Sequence, residues 1–169
     1  MDKPKIVQRH KVVAFYGVPT TTTENDVTTT VTNYHRMKKF TQFSQSKNPI
    51  EYSRQYVDEP FQQTDITGFS PSFSYAFDKH TNLPVQKDII SITDEELLGD
   101  DAVRSIVIVD LSESSPKVYR RDYSVIPNTE GDNINIYTYS GTLKVHGEKI
   151  EVEVETEDDY QTITVTDKD

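Results

Sequence analysis

Thr67-Gly68-Phe69-Ser70-Pro71-Ser72-Phe73-Ser74-Tyr75-Ala76-Phe77 is the stretch that decides how this chain is read. Alternate positions put Thr67, Phe69, Pro71, Phe73, Tyr75 and Phe77 on one face and Gly68, Ser70, Ser72, Ser74 and Ala76 on the other. A period of two is the signature of a β-strand, and the aromatic face is core. The small face is the unusual one, because solvated strand faces ordinarily carry longer polar side chains. Glycine, serine and alanine there permit the close approach of another backbone, or line a passage that stays smooth. Pro71 places the strand at a sheet edge or a bulge.

Working upstream, Ile50, Tyr52, Arg54 and Tyr56 alternate with Glu51, Ser53 and Gln55, which predicts a second strand. The polar segment from Asp58 to Gln63 is the tip of the hairpin joining the two. Val31–Ser44 reads as a strand, and Lys11–Val18 as a short strand closed by Pro19. Residues 19–30, rich in threonine around Glu24-Asn25-Asp26, offer no core face and are expected to be a loop that contacts another subunit. Downstream, Val85, Ile89 and Ile92 form an apolar stripe at helical spacing, predicting one helix over 84–98. Asn82 or Thr81 would cap it, Pro84 suits its first turn, and Gly99 would end it. Further strands are expected at 103–111, 117–126, 133–140, 142–146, 150–156 and 160–166, with turns at Ser140-Gly141 and Gly147. About eight to ten strands and one helix make residues 1–169 a single mainly-β domain, a sandwich or a barrel.

Composition agrees. Seventeen Val, thirteen Ile and twenty Thr stand against five Leu and three Ala, a balance that favours strands over helices. The longest apolar run, Ile106-Val107-Ile108-Val109, is far too short to cross a membrane as a helix. The polar start Met1-Asp2-Lys3-Pro4-Lys5 lacks the apolar stretch of a signal peptide, and the absence of cysteine fits assembly in a reducing cytoplasm. Net charge is −10, unevenly placed: residues 1–54 hold nine Lys/Arg and four Asp/Glu, residues 55–169 nine and twenty-four. Gripping nucleic acid needs concentrated Lys and Arg, so so acidic a chain is poorly suited to it. Opposite-signed surfaces on one subunit suit head-to-tail association instead.

No constellation carries catalysis. His10, His35, His80 and His146 are dispersed without metal-ligand spacing, and no nucleophile elbow or phosphate-binding glycine loop is present. The run Pro127–Asn133 lacks the alternation and terminal glutamate of a calcium loop and reads as a polar turn. Glu151, Glu153 and Glu155 share one strand face, where solvation is the plain account. No cofactor and no metal are expected.

Two long segments, Asn48–Glu59 and Asp65–Asp78, together with Gly99–Arg104, Arg121–Pro127 and Tyr137–Gly141, resemble the tail tube (major tail) protein of long-tailed bacteriophages and prophages of Gram-positive bacteria. The resemblance spans residues 33 to 145. It implies a two-sheet β-sandwich with one flanking α-helix, six copies closing into a ring, and rings stacking head to tail into a tube. About four strands from each subunit would form an inner β-barrel of about twenty-four strands, wide enough for duplex DNA. Glu51, Ser53 and Gln55, with Gly68, Ser70, Ser72 and Ser74, are the candidate positions on that inner sheet. A lumen lined by neutral or acidic groups would let double-stranded DNA pass during ejection without specific binding. Implied partners are further copies of the chain, a tape measure protein, and tail terminator and distal tail proteins, in the tail of a virion assembled in the host cytoplasm, with no membrane. Two other readings are a carbohydrate- or receptor-binding β-sandwich module of a virion, suited by the ten tyrosines, and the tube of a contractile tail-like apparatus.

Overall fold

The computed structural model describes residues 3–168. Its strands, in chain order, are β1 (Val12–Glu24), β2 (Val27–Arg36), β3 (Phe40–Ser46), β4 (Pro49–Arg54), β5 (Gln63–Phe69) and β6 (Ser72–Asp78). Helix α1 (Pro84–Asp94) follows, then β7 (Val103–Asp110), β8 (Val118–Glu130), β9 (Thr138–Val145), β10 (Ile150–Glu155) and β11 (Thr162–Asp167). The chain is mainly β with one helix, as expected.

Nine strands form one antiparallel sheet in the order β10-β11-β2-β1-β7-β8-β9-β6-β3, and β10 also pairs with β8. That extra pairing closes β8, β10, β11, β2, β1 and β7 into a six-stranded barrel. Strands β9, β6 and β3 continue the sheet beyond β8 and lie over the outer wall of the barrel. The result is two layers. The barrel interior holds Val13, Phe15, Val107, Val109, Val118 and Ile163. The layer between the barrel wall and the overlying sheet holds Tyr16, Ile106 and Tyr123 against Phe73, Tyr75 and Phe77. Strands β1 and β7 therefore bury both faces, which is why Val13–Tyr16 and Ile106–Val109 are continuous apolar runs rather than alternating ones.

Helix α1 plugs one end of the interlayer space with Val85, Ile89 and Ile92. Its Asp88 carboxylate accepts a 2.5 Å hydrogen bond from the Tyr16 hydroxyl and pairs at 2.8 Å with the Arg104 guanidinium, both carried by barrel strands. The helix is shorter than the 84–98 expected. Leu83 occupies its N-cap and makes no side-chain cap, while Asn82 turns with φ of 63°. At the other end Glu96, with φ of 52°, takes the left-handed conformation, and Leu97 N–H closes the last turn on the Ile92 carbonyl.

Several expected boundaries shift. The threonine-rich segment 19–30 is not a loop: it is the outer half of the β1–β2 hairpin, paired without a break from Val18↔Asn33 to Glu24↔Val27. Asn25 and Asp26 both have positive φ, 51° and 62°, the requirement of a tight two-residue hairpin turn. Threonine hydroxyls bridge the strands at Thr21–Thr30 (3.1 Å) and Thr23–Thr28 (3.2 Å). The expected strand 31–44 is two strands, parted by a turn at Lys39 with φ of 62°. Thr67–Phe77 is likewise two, because the chain kinks at Ser70-Pro71, where Asn48 Nδ2 donates to the Ser70 carbonyl at 3.0 Å. Finally, Ser140-Gly141 is no turn; β9 runs straight through it.

Removing the Asp88 carboxylate leaves the partly buried Arg104 without its counter-charge and the buried Tyr16 hydroxyl without its acceptor, so Asp88→Ala should cost about 3 kcal/mol in urea unfolding. A second test concerns Asp158, which accepts hydrogen bonds from Thr162 N–H (2.9 Å) and hydroxyl (2.6 Å) and from Gln161 N–H (3.2 Å) in the β10–β11 turn. These bonds, those from Thr162 first, hold its carboxyl down to about 2. A depressed folded-state value stabilises the fold above the ordinary carboxylate range, and that contribution is lost as pH falls toward 2. The Asp158→Asn variant should therefore lose stability at neutral pH and show a flatter acid limb in a pH-dependent melt.

Candidate functional site

The layer that leaves the barrel is a four-stranded sheet made of the second half of β8, then β9, β6 and β3. Its register sorts every side chain to one of two faces. Inward, toward the barrel, the rows are Gln45↔Phe73↔Leu143↔Val125 and Phe43↔Tyr75↔Gly141↔Pro127. Outward, they are Ser46↔Ser72↔Lys144↔Ser124, Ser44↔Ser74↔Thr142↔Ile126 and Gln42↔Ala76↔Ser140↔Thr129. The outward face is mostly small and polar across four strands, with Gln42, Lys144 and Ile126 as its large side chains.

Gly141 shows how tightly the inward face is built. A Cβ there would lie 2.5 Å from the Ile126 carbonyl oxygen and 2.6 Å from the Tyr75 hydroxyl oxygen. The aromatic ring of Tyr75 covers the glycine opposite it, so β9 keeps its course without a side chain at that point.

The sheet is open on both sides. Strand β3 pairs with β6 and with no other strand among the described residues. On the far side β7 follows β8 only as far as Val103↔Ser124, so Val125–Glu130 is paired on the β9 side alone. Two edges without a strand partner thus flank the small polar face, the ordinary template for pairing with another chain, with the Phe43 carbonyl held by Arg9 on one and Pro127 lacking an N–H on the other.

Two hairpins extend beyond the layers. One is the threonine arm of β1 and β2. The other is the separate β4–β5 sheet, a continuation of the β3–β6 ribbon past the Ser70-Pro71 kink. On one side of this second arm Arg54 pairs with Asp65 and lies over the rings of Tyr52 (5.5 Å) and Tyr56 (5.8 Å). Ile50, Tyr52, Phe61, Ile66 and Phe69 are all at least half exposed.

The seven positions expected on one inner sheet are divided by this geometry. Ser72 and Ser74 lie on the small polar face. Ser70 sits in the kink and Gly68 on β5, opposite Ile50. Glu51 and Ser53 are on β4, on the other side of the arm from Gly68, with the Ser53 and Thr64 hydroxyls 2.9 Å apart. Gln55 lies past the end of β4, where its side-chain amide donates to the Glu59 carbonyl at 3.1 Å. The sequence reading missed the contributions of β3, β8 and β9. The signal was present at Tyr139–Leu143, where Tyr139, Gly141 and Leu143 alternate with Ser140 and Thr142, but the glycine read as a turn.

The histidines stay apart. His80 Nδ1 lies 2.6 Å from the Asp78 carbonyl, burial pulls His35 down, and His146 faces Asp100 at 3.8 Å. Among the described residues no three His, Cys, Asp or Glu side chains gather as a metal would require, and no helix is long and apolar enough to cross a membrane.

Comparison with known proteins adds little. No protein-family model matches the chain, and no curated protein matches it. Among solved structures it is similar to a chain in the cryo-EM structure of the anti-feeding prophage (AFP) baseplate, 6-fold symmetrised, at 12% identity and a TM-score of 0.46, over 87% of this chain and 95% of that one. A likeness at that level carries no conclusion about function.

The Ile126 carbonyl and the Tyr75 ring make Gly141 the most sensitive point of the sheet. Gly141→Ala should destabilise the protein by about 1–3 kcal/mol in chemical denaturation, because neither the Ile126 carbonyl nor the Tyr75 ring can retreat without unpacking the interlayer core.

Proposed function

We propose that the chain is a structural subunit of a bacteriophage-type tail tube. The observation that carries this reading is the four-stranded sheet with a small polar outer face and an open edge on each side. A sheet open at both edges is a unit of a larger sheet. If β3 of one copy pairs with the Val125–Glu130 edge of the next, the contact is heterologous and closes into a ring when the rotation allows. Six copies would give twenty-four strands. At about 4.8 Å between strands, such a barrel has a circumference of about 115 Å and a diameter of about 37 Å before tilt. The inner face of that barrel is the small polar one, since the aromatic face is already committed to the core. Serine, threonine and alanine keep the bore open, and Lys144 is the one cation in the outward rows, too sparse a positive charge to grip duplex DNA. The exposed arms would then bridge neighbours in the ring and between rings. On this reading the tube meets a tape measure protein inside, terminator and distal tail proteins at its ends, and DNA in transit.

Negative-stain electron microscopy of the concentrated protein should show six-fold rings or hollow tubes, and duplex DNA should not be retained at physiological salt. Dispersed monomers that bind glycans would overturn the reading. The double variant Ser74→Lys/Thr142→Lys should still assemble, yet add about a dozen cations to the bore of a six-membered ring and retain DNA in a salt-sensitive manner. Assembled tubes of this variant that ignore DNA would show that the face is not luminal.

A further inference from the structure

The interlayer space is plugged by α1 at one end and open at the other. The open end is a cleft of about 230 Å³ between β3 and the β7–β8 wall, floored by Phe73, Ile106, Ile108 and Tyr123. Its rim is basic: Lys47, Lys117, Arg121 and Lys149 surround it, with Asp110 as the one carboxylate. Asp110 is engaged elsewhere, its Oδ1 accepting from Ser112 N–H at 2.9 Å and from the Ser112 hydroxyl at 2.5 Å. Arg9 clamps the adjoining side, donating to the carbonyls of Val12 (2.6 Å) and Phe43 (3.0 Å). Arg121 Nε donates to the Gly147 carbonyl at 2.8 Å, and Lys149 Nζ stands 4.1 Å from the centre of the Tyr119 ring. Burial, then the neighbouring Lys47 and Arg121 charges, pull the Lys149 ammonium below its ordinary value, the mark of a cation cluster short of anions. In a chain that is acidic overall, this concentration of positive charge around an apolar floor calls for an acidic occupant carrying an apolar side chain.

The molecule presents such an element at its other end. The β8–β9 loop, residues 131–137, leaves Ile134 99% exposed and Ile136 half exposed, flanked by Glu130 and Asp132. It is a shaped projection: Asn133 Oδ1 accepts from the N–H groups of Asn135 (2.8 Å) and Ile136 (3.3 Å), and Thr138 bonds Asp132. Asp94, at the end of α1, lies close enough to join Glu130 in pushing the Tyr139 hydroxyl up to about 12, after burial itself, which places more acid beside the loop. The cleft meets β8 at Tyr119–Tyr123 and the loop follows Glu130, so about 23 to 36 Å of strand, at about 3.3 Å per residue, runs between them. Cleft and loop cannot meet within one copy.

We infer that the β8–β9 loop of one copy docks into the basic cleft of the next, Ile134 on the aromatic floor and Glu130 and Asp132 among Lys47, Lys117 and Lys149. The contact is heterologous and directed along β8, so it repeats without closing and sets the polarity of a stack. It deepens the tube reading, on which it rests for the direction of stacking. Charge pairing at the rim gives the contact its specificity, and burial of Ile134 its persistence.

The test is a charge exchange. Lys47→Glu/Lys149→Glu makes the cleft acidic, and Glu130→Lys/Asp132→Lys makes the loop basic while keeping Ile134; all four side chains are exposed, and circular dichroism and melting confirm that each variant folds. Either variant alone should need more than about tenfold higher concentration than wild type to associate end to end, read by sedimentation and electron microscopy. An equimolar mixture should recover association, because each acidic cleft then meets a basic loop and each native cleft a native loop. Long tubes formed by either variant alone, or no recovery on mixing, would overturn the inference while leaving closed rings, and with them the tube reading, intact. Linear chains that respond to the exchange but never close into rings would instead sink the tube reading and uphold this contact. A wild-type protein that stays monomeric at every concentration and low salt would overturn the contact itself.

Discussion

Strand β8 belongs to two structures at once, and the rest of the molecule is arranged around that fact. Its first half is a stave of the six-stranded barrel, paired with β7 and β10; its second half leaves the barrel and begins the overlying sheet with β9. A stave that departs in this way must be long, and β8 is, at thirteen residues. It must also be released by β7 at a defined point, Val103↔Ser124, where the turn after α1 enters the barrel. Once β8 has left, its inward side chains Tyr123 and Val125 need a cover, which Phe73 and Leu143 supply on one side and the barrel wall on the other. The Tyr16–Asp88–Arg104 cluster then fixes the helix that seals one end of the space between layers. A bidentate, hydrogen-bonded carboxylate is tolerable there because all its partners are in place.

The same departure leaves the chain with edges. A closed barrel has none, and a sheet that branches from one has two. Proteins that remain single usually blunt such edges with charge, proline or a covering loop. Here Pro127 and the bulge beside it interrupt the β8 edge, while β3 has no second strand partner among the described residues and only Arg9 reaches it, at the Phe43 carbonyl. The β4–β5 arm has no third strand, and two-stranded ribbons standing in water are marginal by themselves. Its exposed Tyr52, Ile66 and Phe69 gain little in isolation and much against a neighbour. Edges, arm and smooth face are the features on which the proposed ring rests.

Legibility in the sequence followed burial. Phe73, Tyr75 and Phe77 alternate with small residues because one face meets a core and the other does not, so period two was visible and the face assignment stood for these three. Thr67 and Phe69, expected on the same core face, instead lie on β5 and are exposed. The helix was legible from Val85, Ile89 and Ile92 for the same reason. Where neither face is buried the pattern carried no information: the threonine arm has no core side, so its strands read as a loop, although Asn25-Asp26 between threonine runs is a hairpin signature. Where both faces are buried the alternation also vanishes, as in Ile106–Val109. Gly141 misled for a third reason, since a glycine demanded by a cross-strand ring looks the same in sequence as one demanded by a turn. Closure of the barrel rests on the short pairing Ile150–Val152 with β8, a contact between distant segments that no local pattern encodes.

The uneven charge along the chain acquires a spatial meaning only in the fold. Lys47 and Arg9 come from the basic first third, Lys117, Arg121 and Lys149 from the acidic remainder, and the fold brings them to one mouth of the interlayer space. Glu130, Asp132 and Asp94 gather at the other. A polarity of this kind does no work inside a single subunit, because charges tens of ångströms apart are screened from one another in salt. Between subunits laid end to end it brings unlike charges into contact at every junction and like charges at any reversed one. Reversal is thereby penalised at each step, which is what a filament of uniform direction requires of its repeating unit.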